Sequence, residues 1–276
     1  MIKILVDSTG DCPRENPVCD MFVPLTVTIG GRDYLDGIDL DADRFYELLT
    51  TSQEFPKTSQ PSPEAFAALF EQAKRDGDQV LCFCVSSALS GTYQSACIAR
   101  EMADYGEIYV IDTLMVSHLI GVLAEYAAGR IREGADAKSI VRECEELKGR
   151  VKVFAGLDTL EYLYKGGRLS RAGATVGQIA GIKPIVTLTE DGKVNAGTKA
   201  IGLSRAIQTI VSKVQGCQRD ERFPIYTLYT KGFENVEKLE AKLAEAGIPV
   251  TGRRQVGSTI GAHVGPGIYG ILFVTK

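Results

Sequence analysis

This sequence has no excess of positively charged residues. Its 31 Lys and Arg residues are outnumbered by 35 Asp and Glu, and the formal net charge is −4 with both histidines neutral. Proteins that bind nucleic acid or an anionic membrane surface usually carry a basic patch. The composition gives no indication of such a partner, so we expect no nucleic acid and no stable membrane insertion.

Long apolar runs and a disulfide framework are also absent. No run approaches the length of about 20 residues that a membrane-spanning helix needs. Met1–Asp7 has a strand pattern and lacks the flanks of a signal peptide. The seven cysteines are odd in number, and no second cysteine pair or nearby histidine completes a metal site around Cys82 and Cys84. We expect a cytoplasmic protein without a bound metal.

Two motifs resemble cofactor or ion sites but fail in detail. Gly265–Gly270 matches G-x-G-x-x-G, but a strand pattern, Ile271–Val274, follows it where a dinucleotide fold needs a helix. Asp39–Asp43 resembles a calcium loop, but Arg44 and Thr50 occupy the glycine and glutamate positions, so helix capping is the better interpretation. Neither a Walker loop nor a G-x-S-x-G elbow occurs, and we expect no cofactor.

The first half of the chain alternates strand and helix patterns. Ile2–Val6, Val80–Val85 and Ile108–Ile111 are short apolar runs, and each leads directly into small polar residues. Helical patterns separate them, which predicts a parallel sheet built from βαβ units. Ligands bind beyond the carboxyl ends of such strands, and the polar residues belong at that edge.

The pattern changes after about residue 148. Val151–Gly156 predicts a strand, Asp158–Glu161 matches a capping box that opens a short helix, and Glu190–Gly192 predicts a hairpin connection. A hairpin within an α/β region indicates a mixed sheet. We therefore predict an α/β protein of two domains, a parallel-sheet domain over 1–148 and a mixed-sheet domain over 149–276, with the ligand site between them.

Hydroxyl side chains cluster at two predicted helix starts. Thr58–Ser62 precedes a helix that begins near Pro63, and Ser86–Thr92 joins a strand to a helix that begins near Gly91. Hydroxyls and free amides at a helix start can bind an anion, although plain capping explains most such sequences. The four hydroxyls within Ser86–Thr92 exceed what one cap needs, which favours an anion site.

The two histidines have different settings. His263 lies among glycines in Gly261–Gly265, which we interpret as a turn outside any helix and as either a structural or a functional position. His118 follows Val116 at the start of an apolar helix, so we interpret it as a core or capping residue.

Six short motifs, each weak alone, occur in a specific order along the whole chain. They are Asp7-Ser-Thr9, Thr58-Ser-Gln-Pro61, Ser86-Ser-x-x-Ser90-Gly-Thr92, Lys165-Gly-Gly-Arg168, Lys183-Pro184 and Ala262-His263-x-Gly265. The ordered set closely resembles the DegV family of fatty-acid-binding proteins. The resemblance implies a two-domain α/β protein with a long-chain fatty acid in an apolar tunnel, and an ATP-dependent fatty acid kinase as partner.

The resemblance also implies which residues hold the ligand. Thr58 and Ser90 would hydrogen-bond the fatty-acid carboxylate with His263 beside them, and we expect no catalytic residue. Further candidates in the same motifs are Ser59, Gly91, Thr92 and Arg168. The tail would supply most of the affinity, about 0.8 kcal/mol per methylene and on the order of 12 kcal/mol gross for sixteen carbons, before the costs of association.

One position departs from the family pattern, because Ile201 stands where an arginine is usual. If that arginine serves the kinase step, the protein either binds lipid without a kinase or uses Lys199 or Arg205 in its place.

Two other functions remain open from the sequence. Ser90 as nucleophile, His263 as base and Asp7 or Asp112 as orienting group would make an acyl hydrolase. A binder of small phosphates or sugars could use the same helix starts, and it would need a polar cavity.

Overall fold

The computed structural model describes residues 1–12, 18–169 and 181–276. Among these residues, a single 3-10 turn, Ser8–Gly10, accompanies the strands and helices. In chain order these are β1 (Ile2–Asp7), β2 (Met21–Val23), β3 (Thr26–Ile29), β4 (Arg32–Leu35), α1 (Ala42–Thr51), β5 (Lys57–Ser59), α2 (Pro63–Asp76), β6 (Gln79–Cys84), α3 (Thr92–Ala103), β7 (Ile108–Asp112), α4 (His118–Arg132), α5 (Ala137–Lys148), β8 (Val151–Gly156), α6 (Glu161–Lys165), β9 (Ile182–Leu188), β10 (Val194–Ile201), α7 (Leu203–Gln215), β11 (Tyr226–Tyr229), α8 (Glu234–Glu245), β12 (Gly252–Gln255), α9 (Ser258–Val264) and β13 (Tyr269–Val274).

The first sheet is parallel, as predicted, with strand order β2-β1-β6-β7. Its strands are covered on both faces, which explains why they are continuous apolar runs. Leu5 and Cys82 lie in one core cluster with α2 and α3, whereas the alternate residues Ile4 and Leu81 lie in another with α4 and α5. The carboxyl ends of β1 and β6 therefore emerge together at one edge.

The second sheet is mixed, with strand order β10-β9-β8-β13-β11-β12. The predicted hairpin joins β9 to β10, and β12 runs parallel to β11. One face packs on α7 and α8. The other face contributes Val153 and Leu272 to the cluster that holds Ile4 and Leu81, so the two sheets share one core. The predicted boundary at 148/149 falls between the sheets, and the division into two domains stays a prediction.

A third, antiparallel sheet of three strands was not predicted from the sequence. Its order is β4-β3-β5, and Val27 and Ile29 pack with α1 and with Ala262 of α9. Asp41 caps α1 by accepting a 2.8 Å hydrogen bond from the amide of Arg44, which confirms capping as the role of the acidic turn.

Two local predictions were wrong. Asp158 does not cap α6, because Leu160 is the N-cap residue and the Asp158 carboxylate pairs with Lys183 at 2.7 Å. His263 lies within α9 and not in a turn. The glycines in this segment have low helix propensity, but tertiary packing overrides it. A β-carbon at Gly261 would come within 2.5 Å of the Tyr46 hydroxyl oxygen, so glycine permits the helix to pack there.

Among the described residues, no helix has both the length and the apolar character needed to cross a membrane. Within the same residues, no cluster of three or more His, Cys, Asp or Glu side chains could hold a metal ion.

Candidate functional site

A narrow cavity lies where the carboxyl edge of the first sheet meets β5, α6 and α9. The cavity volume is about 60 Å³, and the cavity is partly open to solvent. Eight apolar and six polar residues line it: Leu25, Val85, Leu89, Val116, Leu163, Val194, Ile260, Val264, Thr9, Thr58, Ser90, Arg168, Thr259 and His263. The three residues given the central role by the sequence, Thr58, Ser90 and His263, therefore converge on one cavity.

Thr58 and His263 are in direct contact although 205 positions separate them in the chain. Thr58 Oγ1 and His263 Nε2 are 2.8 Å apart. Burial, with a smaller contribution from the positive charge of Arg168, lowers the pKa of His263 to about 4. The imidazole is therefore neutral at neutral pH and presents one N–H.

The surroundings of the imidazole indicate which nitrogen carries that proton. Nδ1 is buried without a hydrogen-bond partner among the described residues, and it lies against Gly166, where a β-carbon would come within 2.3 Å. A buried N–H without an acceptor is costly. We therefore assign the proton to Nε2, which donates to Thr58 Oγ1 and leaves the Thr58 hydroxyl free to donate into the cavity.

Ser90 is held by the start of α3. Its Oγ lies 2.9 Å from Thr92 Oγ1 and accepts a hydrogen bond of 3.3 Å from the Thr92 amide. Gly91 is the N-cap residue of α3, and the side chain of Gln60 occupies the space above it. Gln60 also donates to Ser95 Oγ at 3.1 Å. This contact links the segment that follows β5 to α3, which begins two residues after Ser90.

Arg168 brings a positive charge to the same end of the cavity. Its Nε donates to the carbonyl oxygen of Leu89 at 2.9 Å, and its Nη1 donates to that of Gly166 at 2.7 Å. Partial burial lowers the pKa of the guanidinium from its usual value. Within the part of the chain that the structure describes, no carboxylate pairs with this group, so an anionic ligand would be its counter-charge.

Two further threonines line the cavity, and each donates its hydroxyl proton to a buried carboxyl group. Thr9 Oγ1 donates to Asp7 at 2.5 Å, and Thr259 Oγ1 donates to Asp36 at 2.6 Å. Burial raises the pKa of Asp7 to about 6. The sequence singled out Asp7-Ser-Thr9 as a cluster, but no sequence signal marked Thr259, because its role depends on a carboxylate 223 positions away.

The remaining candidates lie beside the cavity. Ser59 alternates with Thr58 along β5 and is exposed on the opposite side of the strand. Thr92 is fully buried beneath Ser90, and neither it nor Gly91 lines the cavity. Ile201 is 70% exposed at the end of β10, also away from the lining.

The hydrolase hypothesis needs a Ser–His–Asp relay, and the hydrogen bonds of the described residues run elsewhere. His263 Nε2 contacts Thr58, and Ser90 Oγ contacts Thr92. Asp7 accepts from the amides of Thr9 and Val85, and Asp112 accepts from loop amides. The mostly apolar lining also disagrees with the polar cavity that a sugar or phosphate binder needs.

The chain is similar to known proteins over its whole length. A family model described as DegV, a family of uncharacterised proteins, matches residues 1–276. A DegV domain-containing protein from Caldanaerobacter subterraneus subsp. tengcongensis is 38% identical, and the match covers 100% of this chain and 99% of the relative.

Two solved structures extend the similarity to the fold. A DegV family protein from Thermus thermophilus, described by its fatty acid binding, is 31% identical with a TM-score of 0.89, covering 100% of this chain and 99% of the other. A fatty acid binding DegV family protein from Streptococcus agalactiae is 28% identical with a TM-score of 0.91, again covering 100% and 99%. With the family model matching from the first residue to the last, this chain belongs to the DegV family.

Proposed function

We propose that this protein binds one long-chain fatty acid in the cavity, with the carboxyl head against Thr58 and Ser90. The observation that carries the proposal is the composition of the lining, which is mostly apolar and includes hydroxyl groups and one cation. The fatty acid binding described for the Thermus thermophilus relative supports it.

The orientation of the ligand follows from the charges around the cavity. Arg168 donates to the Leu89 carbonyl oxygen next to Ser90, whereas the carboxyl groups of Asp7 and Asp36 accept from Thr9 and Thr259. A fatty-acid carboxylate is attracted to the Arg168 guanidinium. The Thr58 and Ser90 hydroxyls then donate directly to it, while His263 orients Thr58.

The tail would extend into the apolar part of the lining. Val85 and Leu163 belong to the core that the two sheets share and Ile260 packs against it, so the tail would lie against apolar side chains there. At about 0.8 kcal/mol per buried methylene, the tail dominates the affinity and the polar groups select the carboxyl head.

We also propose that the protein is a carrier without catalysis of its own. It would present the carboxylate to an ATP-dependent fatty acid kinase as partner. Thr58 and Ser90 are half-buried, so a partner could reach a head group held there. We further propose that residues 1–148 and 149–276 form two domains. We propose also that the protein is cytoplasmic.

Extraction of the purified protein with organic solvent, followed by mass spectrometry, tests the ligand. We expect one acyl chain per protein, and uptake of palmitate after delipidation. Ser90→Ala should weaken palmitate binding about tenfold, because a charge-assisted hydrogen bond is lost. Ser59→Ala is the matched control and should bind as the native protein does.

A protein without any acyl species that also takes up no palmitate would contradict the proposed ligand. The kinase step is tested separately, by adding a bacterial fatty acid kinase, ATP and loaded protein and trapping acyl phosphate with hydroxylamine. Acyl hydroxamate formed only in the presence of the loaded protein is expected. Its absence with every kinase tried, while palmitate binds, would refute the partner alone.

A further inference from the structure

The helix that carries His263 has little reason to form by itself. Helix α9 has seven residues, and Gly257, Gly261 and Gly265 occupy its N-cap, its interior and its C-cap. Isolated helices of this length are unstable in water, and glycine lowers helix propensity further. Four residues of α9 nevertheless line the cavity, among them Thr259 and His263.

A carboxylate from the third sheet region holds the amino end of this helix. Asp36 Oδ2 accepts hydrogen bonds from the Thr259 hydroxyl at 2.6 Å and from the Thr259 amide at 3.3 Å. A carboxylate at a helix amino end satisfies free amides and complements the helix dipole. Asp36 is only 4% exposed, so solvent competes little for these bonds.

Asp36 itself is fixed to the sheet that carries Thr58. Its amide donates to the carbonyl oxygen of Leu25 at 2.9 Å, and it forms a bridge with Leu40. Leu25 directly precedes β3, which pairs with β5 and so with Thr58. One carboxylate therefore links the element that holds His263 to the sheet that holds Thr58.

Two other groups near this end of α9 contact residues that precede the helix. Tyr46 donates from its hydroxyl to the carbonyl oxygen of Val256 at 3.0 Å. Asp11 lies against Gly257 and accepts from Ser117 at 2.5 Å. Asp36 alone among these groups bonds to a residue of α9 that lines the cavity.

We propose that Asp36 is a positioning residue of the cavity. By anchoring α9 through Thr259, its carboxylate keeps His263 Nε2 within hydrogen-bond reach of Thr58 and so keeps the Thr58 hydroxyl directed at the ligand. The consequence for lipid binding rests on the proposed function, but the effect on His263 does not.

The test begins with the ligand-free full chain. The protein has two histidines, so the ring nitrogens are resolved by two-bond ¹H–¹⁵N NMR, and His263→Ala assigns them. At about pH 6 we expect a neutral His263 ring with the proton on Nε2 in the native protein. Asp36→Ala and the milder Asp36→Ser should make the ring partly charged, whereas Asp36→Asn, which keeps the acceptor oxygen, should preserve the native signals.

Asp39→Asn is the matched control, because Asp39 lies three residues further on and bonds the amide of Leu35 instead. A mainly structural role would lower the melting temperature without moving the His263 signals of the folded protein. Native His263 signals in both Asp36→Ala and Asp36→Ser would overturn the proposal. If one of these variants fails to fold, the His263 signals of the other decide.

Palmitate binding completes the test. Asp36→Ala should bind about tenfold more weakly than the native protein, but it should add nothing in a His263→Ala background, because both changes act through one group. An equal loss in both backgrounds would overturn the proposal. If the native protein bound no palmitate, the proposed function would fail, and the NMR result would still decide the role of Asp36.

Discussion

Gly91 leaves no room for a β-carbon, because the side chain of Gln60 lies directly against it. A β-carbon there would come within 2.1 Å of Gln60 Oε1. Gln60 is a flexible side chain and can move aside, but it would then lose its hydrogen bond to Ser95. The hydrogen bond from Gln60 to Ser95, which links the segment after β5 to α3, therefore depends on this glycine.

We expect Gly91→Ala to weaken palmitate binding about threefold to tenfold while the free energy of unfolding falls by less than about 1 kcal/mol. Isothermal titration and urea unfolding measure the two effects. Gly106→Ala is the control, because a β-carbon there would have no neighbour within 4 Å. Unchanged binding in Gly91→Ala would show that palmitate binding does not depend on this hydrogen bond.

His118 is the first residue of α4 and is buried, as the sequence predicted. Its Nε2 donates to the carbonyl oxygen of Gln255 at 2.7 Å, and burial lowers its pKa from 6.5 to about 4. Between these two pH values the unfolded chain binds a proton that the folded protein excludes, so folding becomes less favourable as the pH falls.

His118→Gln keeps a donor at this position and removes the titration. We expect the native protein to lose up to about 3 kcal/mol more stability than the variant between pH 6.5 and pH 4, with no difference in slope above pH 7. Urea unfolding at several pH values measures this. Parallel pH profiles for the two proteins would contradict the burial of a neutral ring.

At the scale of elements, the hairpin between β9 and β10 contacts the opposite sheet. Gly192 in its turn has φ +75°, and its carbonyl oxygen accepts a 2.8 Å hydrogen bond from Ser86 Oγ. A β-carbon at Gly192 would come within 2.2 Å of Ser86 Oγ and within 3.0 Å of the backbone of Leu114.

Gly192→Ala should therefore cost about 2 to 4 kcal/mol of stability, from backbone strain and from the contact with Leu114, and should weaken palmitate binding by displacing the Ser86–Thr92 loop. Gly134→Ala isolates the strain, because Gly134 has φ +83° and open space around it. That control should lose about 1 to 2 kcal/mol and bind normally. Equal effects of the two substitutions would rule out the loop displacement.

The sequence predicted the elements whose formation is indicated by residues within or next to them. Val80–Val85 is a continuous apolar run, and Pro63 and Gly77 bracket α2 at its ends, so both were recognised. Strands β3 and β5 and helix α9 were missed because they are short, partly polar or rich in glycine. Long-range packing stabilises them, and a single sequence contains no local sign of it.

The same distinction applies to the site. Thr58 and Ser90 lie in recognisable hydroxyl-rich segments, His263 stood out among glycines, and the resemblance added Arg168. Their convergence on one cavity agrees with that prediction. Asp36 could not be inferred, because nothing near it in sequence indicates a partner 223 positions away.

At the scale of the whole molecule, a core shared by two sheets surrounds the proposed ligand path. A ligand that binds only the folded state raises stability by mass action, about 2.7 kcal/mol at a hundredfold excess over Kd. We expect palmitate to raise the melting temperature of delipidated protein by about 5 °C, and cetyl alcohol to raise it less. Scanning calorimetry measures both, and equal shifts for acid and alcohol would remove any role for the polar end.

The hydrogen bond from Ser86 to Gly192 has a mechanical consequence. Ser86 and Ser90 lie in the loop that follows β6 of the first sheet, whereas Gly192 lies in the β9–β10 turn of the second. A rigid-body rotation of one sheet against the other would thus displace Ser90 relative to Thr58 without breaking the hydrogen bonds between strands. At the proposed head-group site, such a rigid-body motion would change the distance between Ser90 and Thr58.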